Sequence, residues 1–128
     1  MNLTLEAPSP TLALAELREA LSQFMFRFHT EDDLQQGITQ ALMARGYDPQ
    51  REVILGPKDR VDILVNDLAI EVKIDGSYAD LLRQVQRYLK HDQVKGALVF
   101  GTPAWINRLP VELEGKPLMG LRPLSSLL

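Results

Sequence analysis

Three charged residues in the middle of the chain have the types and spacing of a metal-assisted hydrolytic site. Asp62 precedes the polar dipeptide Asn66-Asp67, and Glu71 and Lys73 follow it, within a segment that alternates almost without error. If Asn66-Asp67 forms the turn of a β-hairpin, Asp62 and Glu71 face each other across it. Opposed carboxylates about 5 Å apart repel each other and need a cation or a proton between them. A divalent metal ion is the simplest candidate.

Lys73 adds a positive group beside this acidic pair. Residues two apart on a strand share a face and lie about 6.6 Å apart, so Lys73 follows Glu71 on that face. Carboxylates that hold a metal, with a lysine that orients water or stabilises developing charge, suit phosphodiester hydrolysis. Two alternatives stay open: a solvated polar face of the hairpin, and a retaining glycosidase pair with the same spacing. The adjacent lysine and the lack of a nearby sugar-stacking aromatic residue argue against a glycosidase.

Composition restricts the metal and the class of protein. The 128-residue chain has no cysteine, which excludes disulfides, thiolate zinc sites and iron–sulfur clusters. His29 and His91 are far apart in sequence, so oxygen ligands and hence Mg²⁺ or Mn²⁺ are favoured. With 45% apolar and 24% charged residues, no secretory signal and no membrane-spanning run, we expect one cytoplasmic globular domain over 1–128. The net charge of −3 argues against non-specific coating of nucleic acid.

The hydrophobic pattern predicts the elements that position the charged residues. After a loose tail over 1–10, helical spacing predicts a helix from about Thr11 to Phe28. Thr30 is the predicted N-cap of a second helix, which Gly46 ends. The later predicted elements are a short strand Glu52–Leu55, the hairpin Arg60–Asp75, a helix Tyr78–His91, a buried strand Gly96–Phe100 and an edge strand within Lys116–Leu124. This order predicts an α/β fold with a mixed sheet.

Alternation divides the hairpin into two faces. The predicted core face consists of Val61, Ile63, Val65, Leu68, Ile70, Val72 and Ile74. The opposite face consists of Arg60, Asp62, Leu64, Ala69, Glu71, Lys73 and Asp75. A slip of the pairing by one residue would separate the charged groups, so the predicted site depends on this register.

The same residues resemble the signature of a known superfamily. Val61-Asp62, followed after eight residues by Glu71-Val72-Lys73, resembles the PD-(D/E)xK nuclease motif, with valine where the motif often has proline. Gln84 and Tyr88 match a glutamine–tyrosine pair that the RecB-like small nucleases carry on the following helix. The resemblance covers about 30–100. It implies a restriction-endonuclease-like core, in which a central mixed β-sheet is flanked by helices, and the first predicted helix is an extra N-terminal element.

The resemblance implies a set of metal ligands. Asp62 and Glu71 would ligate Mg²⁺ or Mn²⁺, and the backbone carbonyl of Val72 would be a further ligand. Glu31 occupies the place of a glutamate that the superfamily commonly carries on the helix before the first strand, and would be an outer ligand. An acid in the first turn of a helix is also favoured by the helix dipole alone.

The resemblance also implies catalytic and substrate-binding roles, with DNA as the usual substrate. Lys73 would assist the attacking water, and Gln84 would orient Lys73 or a phosphate. Tyr88 is assigned to substrate binding, although it also continues the apolar stripe of its helix. A basic stripe, formed by Arg83, Arg87 and Lys90 at helical spacing, could contact phosphates or be a solvated face. Trp105 and His91 are expected to be packing and surface residues.

The expected activity is therefore that of a magnesium-dependent deoxyribonuclease, with two rivals. One is a Holliday-junction resolvase or another structure-selective endonuclease. The other is a non-catalytic subunit of a larger DNA-processing complex that kept the fold. Because so small a domain has little surface beyond its core, a homodimer that brackets DNA is expected.

Overall fold

The computed structural model describes residues 9–124, which form three α-helices, six β-strands and one 3₁₀-helix. The helices are α1 Pro10–Ser22, α2 Glu31–Ala44 and α3 Tyr78–Leu89, with the 3₁₀-helix at Ala104–Arg108. The strands are β1 Pro49–Gly56, β2 Asp59–Val65, β3 Leu68–Lys73, β4 Gly96–Gly101, β5 Glu112–Leu113 and β6 Lys116–Leu121. Within this range, none of the helices has the length and apolar character needed to cross a bilayer.

Helix α1 begins earlier and ends earlier than its hydrophobic spacing predicts. Of the predicted tail over 1–10, residues 1–8 lie outside the described residues, whereas Ser9 accepts a hydrogen bond from Leu12 N–H (3.2 Å) and caps the helix. The helix ends at Ser22 and not at Phe28, because the buried aromatic residue of the following segment is Phe26. Its ring meets that of Phe100 edge-on at 5.2 Å, a contact that a continued helical stripe would not make.

Helix α2 begins where the sequence predicts. The Thr30 hydroxyl accepts from Asp33 N–H (3.0 Å), and the Asp33 carboxylate accepts from Thr30 N–H (3.2 Å). This reciprocal capping box satisfies N–H groups that a helix start leaves free. It fixes Glu31 as the first residue of α2.

The strands form one mixed sheet in the order β1-β2-β3-β4-β6-β5. Neighbours β1, β2 and β3 are antiparallel, β3-β4 and β4-β6 are parallel, and β5-β6 is antiparallel. The predicted α/β class and mixed sheet are confirmed. The predicted edge position of the Lys116–Leu124 segment is wrong, because the two-residue strand β5 pairs with the outer side of β6.

Helices cover both faces of the sheet. One core lies beneath α1 and α2 and includes most of the predicted hairpin core face: Ile63, Val65, Leu68, Ile70 and Val72. The other core lies beneath α3 and includes Val61, Ala69, Ala97, Val99 and Leu118. The predicted core face is thus confirmed except at Val61, which packs on the α3 side. On the hairpin face that carries Glu71, Ala69 and Glu71 are buried, whereas Asp62, Leu64 and Lys73 are half-buried and Arg60 and Asp75 are exposed.

The backbones of the parallel strands β3 and β4 approach closely where β3 ends. Lys73 pairs with Gly101 in the parallel register. A Cβ atom added to Gly101 would lie 1.7 Å from the Lys73 carbonyl oxygen and 2.7 Å from its carbon. A side chain at position 101 would therefore push the backbone of Lys73 away from β4.

We predict that Gly101→Ala lowers the free energy of unfolding by about 3 kcal/mol, because the clash is with backbone and cannot be relieved by a side-chain rotation. Gly96→Ala, at the other end of β4, is the control. Its nearest contacts are side-chain atoms of Leu68 and Pro117 at 3.2 Å, which can shift. Urea unfolding of both variants measures the difference, and equal losses would contradict the assignment of Gly101 as the close-approach position.

Candidate active site

The strands β2 and β3 separate at the position where the predicted acidic pair lies. They pair at Val65–Leu68, Leu64–Ala69 and Ile63–Ile70, so the register predicted around Asn66-Asp67 is confirmed. The pairing of β2 with β3 ends at Ile63 and Ile70, one position before Asp62 and Glu71. The two acids therefore lie where the ladder opens, and we call this opening between β2 and β3 the fork.

Carboxylates satisfy the N–H groups that β3 exposes in the fork. A continued register would pair Val72 with Val61, but Val72 N–H donates instead to Asp62 Oδ2 (2.8 Å). Two residues further on, Ile74 N–H donates to Glu31 Oε1 (3.2 Å). Asp62 and Glu31 thus both lie along the edge of β3 from which β2 separates. Because Val61 does not pair with Val72, its side chain can pack beneath α3.

The start of β2 is attached to the second half of α3. The Tyr88 hydroxyl donates to the Arg60 carbonyl (2.8 Å), and the Asp59 carboxylate contacts Arg87 Nε (3.0 Å) and His91 Nε2 (2.8 Å). The hydrogen bonds from His91 and then Arg87 lower the pKa of Asp59. These contacts hold β2 away from β3 and keep the fork open.

Glu71 is buried in the fork and has only part of its hydrogen-bonding capacity satisfied. The residue is 2% exposed. Its Oε1 accepts from Gln84 Nε2 (3.3 Å) and lies 3.9 Å from Lys73 Nζ, whereas its Oε2 has no hydrogen-bond partner among residues 9–124. Burial raises the pKa of Glu71 to about 9, and the neighbouring Asp62 carboxyl adds to this effect. An ionised pair at this position would require a positive charge between the two acids.

The oxygen atoms of the fork suit a hard divalent cation. Asp62 and Glu71 supply two carboxylates, and because a strand residue directs its N–H and C=O to the same neighbouring strand, the Val72 carbonyl also faces Asp62. Mg²⁺ commonly takes one or two carboxylates and completes its shell with water and substrate phosphates. Within 9–124, no three acidic or histidine side chains form a metal-binding group. Glu31 therefore adds no third acid to this pair, and its outer-ligand role stays a prediction.

Gln84 and Tyr88 lie behind the acidic pair. Gln84 Nε2 donates to Tyr88 Oη (2.7 Å) as well as to Glu71. The sequence predicted that Gln84 orients Lys73 or a phosphate; in the structure its amide donates to Glu71 and not to Lys73, and a contact with a phosphate stays a prediction. Tyr88 is 1% exposed, so the predicted direct contact of Tyr88 with a substrate is wrong. Its hydroxyl instead supports the site, because it joins Gln84 to the Arg60 carbonyl.

The basic stripe of Arg83, Arg87 and Lys90 is exposed on the side of α3 opposite its buried residues. Arg83 is paired with Asp80, and Arg87 with Asp59. The Arg83–Asp80 pair is exposed on both sides and contributes little energy, so a phosphate could compete for Arg83. Arg87 is bound to the Asp59 side chain, which is only 14% exposed. The stripe does not line the fork, and its phosphate-binding role stays a prediction.

Some of the arrangement could not be read from residue types. The attachment of β2 to α3 passes through a backbone carbonyl of Arg60, which has no sequence signature. The one available signal was the hydroxyl of Tyr88, because a buried tyrosine on an apolar stripe needs a hydrogen-bond partner. Asp59 and His91 also gave no signal, since they are distant in sequence.

Comparison of the chain with protein-family models, with curated proteins and with solved structures finds no match.

Without divalent cations, the stability of the chain should depend on the proton at Glu71. The folded state keeps this proton up to about pH 9, whereas the unfolded state releases it near the usual glutamate pKa of 4.5. The free energy of unfolding of the native chain should therefore fall as the pH rises between these values. Glu71→Gln carries no such proton, so its stability relative to the native chain should increase with pH.

Urea unfolding in EDTA between about pH 5 and pH 8 measures this difference. Glu112→Gln, at an exposed position on β5, is the control and should follow the native chain. Parallel stability curves for the native chain and Glu71→Gln would contradict the buried, protonated state of Glu71.

Proposed function

We propose that the chain is a magnesium- or manganese-dependent nuclease of the PD-(D/E)xK superfamily, with a restriction-endonuclease-like core, that hydrolyses phosphodiester bonds of DNA. The observation that carries the proposal is the Glu71 carboxyl group in the fork. It is almost fully buried, lies beside Asp62, and has an oxygen without a hydrogen-bond partner in the described part of the chain. A buried carboxylate is costly unless it is paired, and a metal ion bound by Asp62 and Glu71 would remove this cost.

The ligands would be the carboxylates of Asp62 and Glu71 and the carbonyl of Val72. A bound Mg²⁺ or Mn²⁺ would lower the pKa of a water molecule and neutralise phosphate charge. Asp62 is held in position by the Val72 N–H, and Glu71 by the Gln84 amide. Both acids are therefore oriented before any ligand enters, which reduces the reorganisation required during the reaction.

Lys73 is the cationic group closest to the acidic pair. Its Nζ lies 3.9 Å from Glu71 Oε1 and its side chain is 24% exposed, so it is both near the carboxylate and accessible to a substrate. An ammonium group at this position can hold a water molecule or stabilise the charge that develops on the phosphate oxygens. The close approach of β3 and β4 at Gly101 fixes its backbone.

The superfamily resemblance favours DNA as the substrate. The choice between a general nuclease and a structure-selective endonuclease depends on which DNA forms are cleaved. A non-catalytic DNA-processing subunit would have no need of the Asp62–Glu71–Lys73 set, whose acidic pair is unfavourable without a ligand. The homodimer also stays a prediction, which the molecular mass in solution would test.

The proposal predicts Mg²⁺- or Mn²⁺-dependent cleavage that requires Lys73. Linear, circular, nicked and branched DNA, and RNA of the same sequence, are incubated with Mg²⁺, Mn²⁺ or EDTA. Lys73→Ala should lower the turnover number by roughly 100-fold or more, because it removes stabilisation that is needed mainly in the transition state. Its DNA affinity, measured in Ca²⁺, should change by only about a few fold.

Lys95→Ala is the matched control, because Lys95 lies beside the turn of the hairpin, where its N–H donates to the Asp67 carbonyl (2.7 Å). It should cleave like the native chain. The opposite outcome is a chain that binds DNA, cleaves no substrate in the presence of metal, and is unaffected by Lys73→Ala. That result would contradict the nuclease proposal and favour the non-catalytic subunit.

A further inference from the structure

Two aromatic side chains lie close together at the carboxyl end of the parallel strands β3 and β4. Tyr78 is the first residue of α3, and Trp105 belongs to the 3₁₀-helix that follows β4. Their ring centroids are 6.0 Å apart, with an interplanar angle of 78°. The Trp105 indole N–H donates to the Gly76 carbonyl (3.2 Å). The pair therefore joins the two segments that leave β3 and β4.

This aromatic pair lies on the same face of the sheet as the fork. Glu71 and Lys73 share strand parity with Ala69, which belongs to the core beneath α3, and Trp105 packs against that same core. Tyr78 begins the helix that forms this face. The aromatic pair and the Lys73 side chain are thus neighbours at one end of one face.

Lys73 interacts electrostatically with an acidic residue in the first turn of α3. Hydrogen bonds from Ser77 and Arg83 are the main causes of the lowered pKa of Asp80, and Lys73 adds to them. The Lys73 side chain therefore lies on the side of β3 that α3 covers, and Tyr78 is the first residue of that helix. A substrate phosphate held by Lys73 would lie at the same end of this face as the aromatic pair.

The segment that carries Trp105 is fixed to the end of β3. Thr102 N–H donates to the Lys73 carbonyl (3.0 Å), and the Thr102 hydroxyl donates to the Ile74 carbonyl (2.8 Å). Tyr78 and Trp105 are each half-buried, so each ring has packed and accessible surface. The pair is therefore a preorganised aromatic surface beside the proposed catalytic lysine.

We propose that Tyr78 and Trp105 stack against an unpaired base next to the scissile phosphate, so that the substrate is single-stranded DNA or a single-stranded extension of a duplex. This inference rests on the proposed nuclease function. A base inside a duplex is stacked on both sides and must be unstacked before it can contact an aromatic side chain, whereas an unpaired base is free to do so. Stacking also supplies affinity that does not depend on the net charge of −3.

The chain provides a direct probe, because Trp105 is its only tryptophan. An oligothymidylate is titrated into the native chain in Ca²⁺ or EDTA, and the tryptophan fluorescence is recorded. Stacking should quench this fluorescence in a saturable manner. A blunt duplex of two fully complementary strands at the same mass concentration should cause little quenching and bind more weakly.

Variants of Tyr78 test the pair without removing the probe. Tyr78→Leu should weaken binding of the oligothymidylate by roughly 10-fold, whereas Tyr78→Phe should keep the affinity because the ring is retained. Tyr47→Leu, at a half-buried tyrosine that follows α2, is the control and should bind like the native chain.

Absence of quenching by the oligothymidylate, equal quenching and affinity for the blunt duplex, or unchanged affinity of Tyr78→Leu would each overturn the inference. The outcome is independent of cleavage. Metal-dependent cleavage without quenching would retain the nuclease and reject the stacking surface. Quenching by single strands without cleavage of any substrate would retain the stacking surface and reject the nuclease.

Discussion

Where β2 leaves β3, the N–H of Val72 donates to the carboxylate of Asp62 and not to a backbone carbonyl of the neighbouring strand. The remaining features of the site depend on this hydrogen bond. It ends the ladder without leaving the Val72 N–H unpaired, which a buried strand would not tolerate. The released start of β2 then reaches α3, where Tyr88 binds the Arg60 carbonyl, and the space beside Glu71 stays open.

The fork places a destabilising group within a well-packed domain. A buried polar group without a partner costs about 1–3 kcal/mol, and more when it is charged. Each fully buried Leu or Ile side chain contributes about 1.5–3 kcal/mol through the hydrophobic effect, and the two cores on either side of the sheet contain many of them. The cores can therefore offset the cost of Glu71 in the absence of a cation. The same packing holds Asp62 and Glu71 in one arrangement.

The sequence predicted the hairpin register and the start of α2, because both depend on local chemistry: strict alternation around Asn66-Asp67 and the capping residue Thr30. It did not predict the side on which Val61 packs, since period-two alternation assumes an unbroken ladder. The burial of Glu71 was also missed, because alternation assigns residues to a face but does not indicate that α3 covers it. The end of α1 was predicted wrongly for a related reason: helical spacing of apolar residues continues to Phe28, whereas the helix ends at Ser22.

In the proposed nuclease, a divalent cation binds between Asp62 and Glu71 in the fork. Crystals of the chain soaked in excess Mn²⁺ test this directly, through the anomalous difference map recorded near the manganese absorption edge. We predict a peak in contact with the carboxylates of Asp62 and Glu71 and with the Val72 carbonyl. A map without a peak at this position, in which Glu71 Oε2 is instead hydrogen-bonded to Asp62 or to a water molecule, would contradict the account.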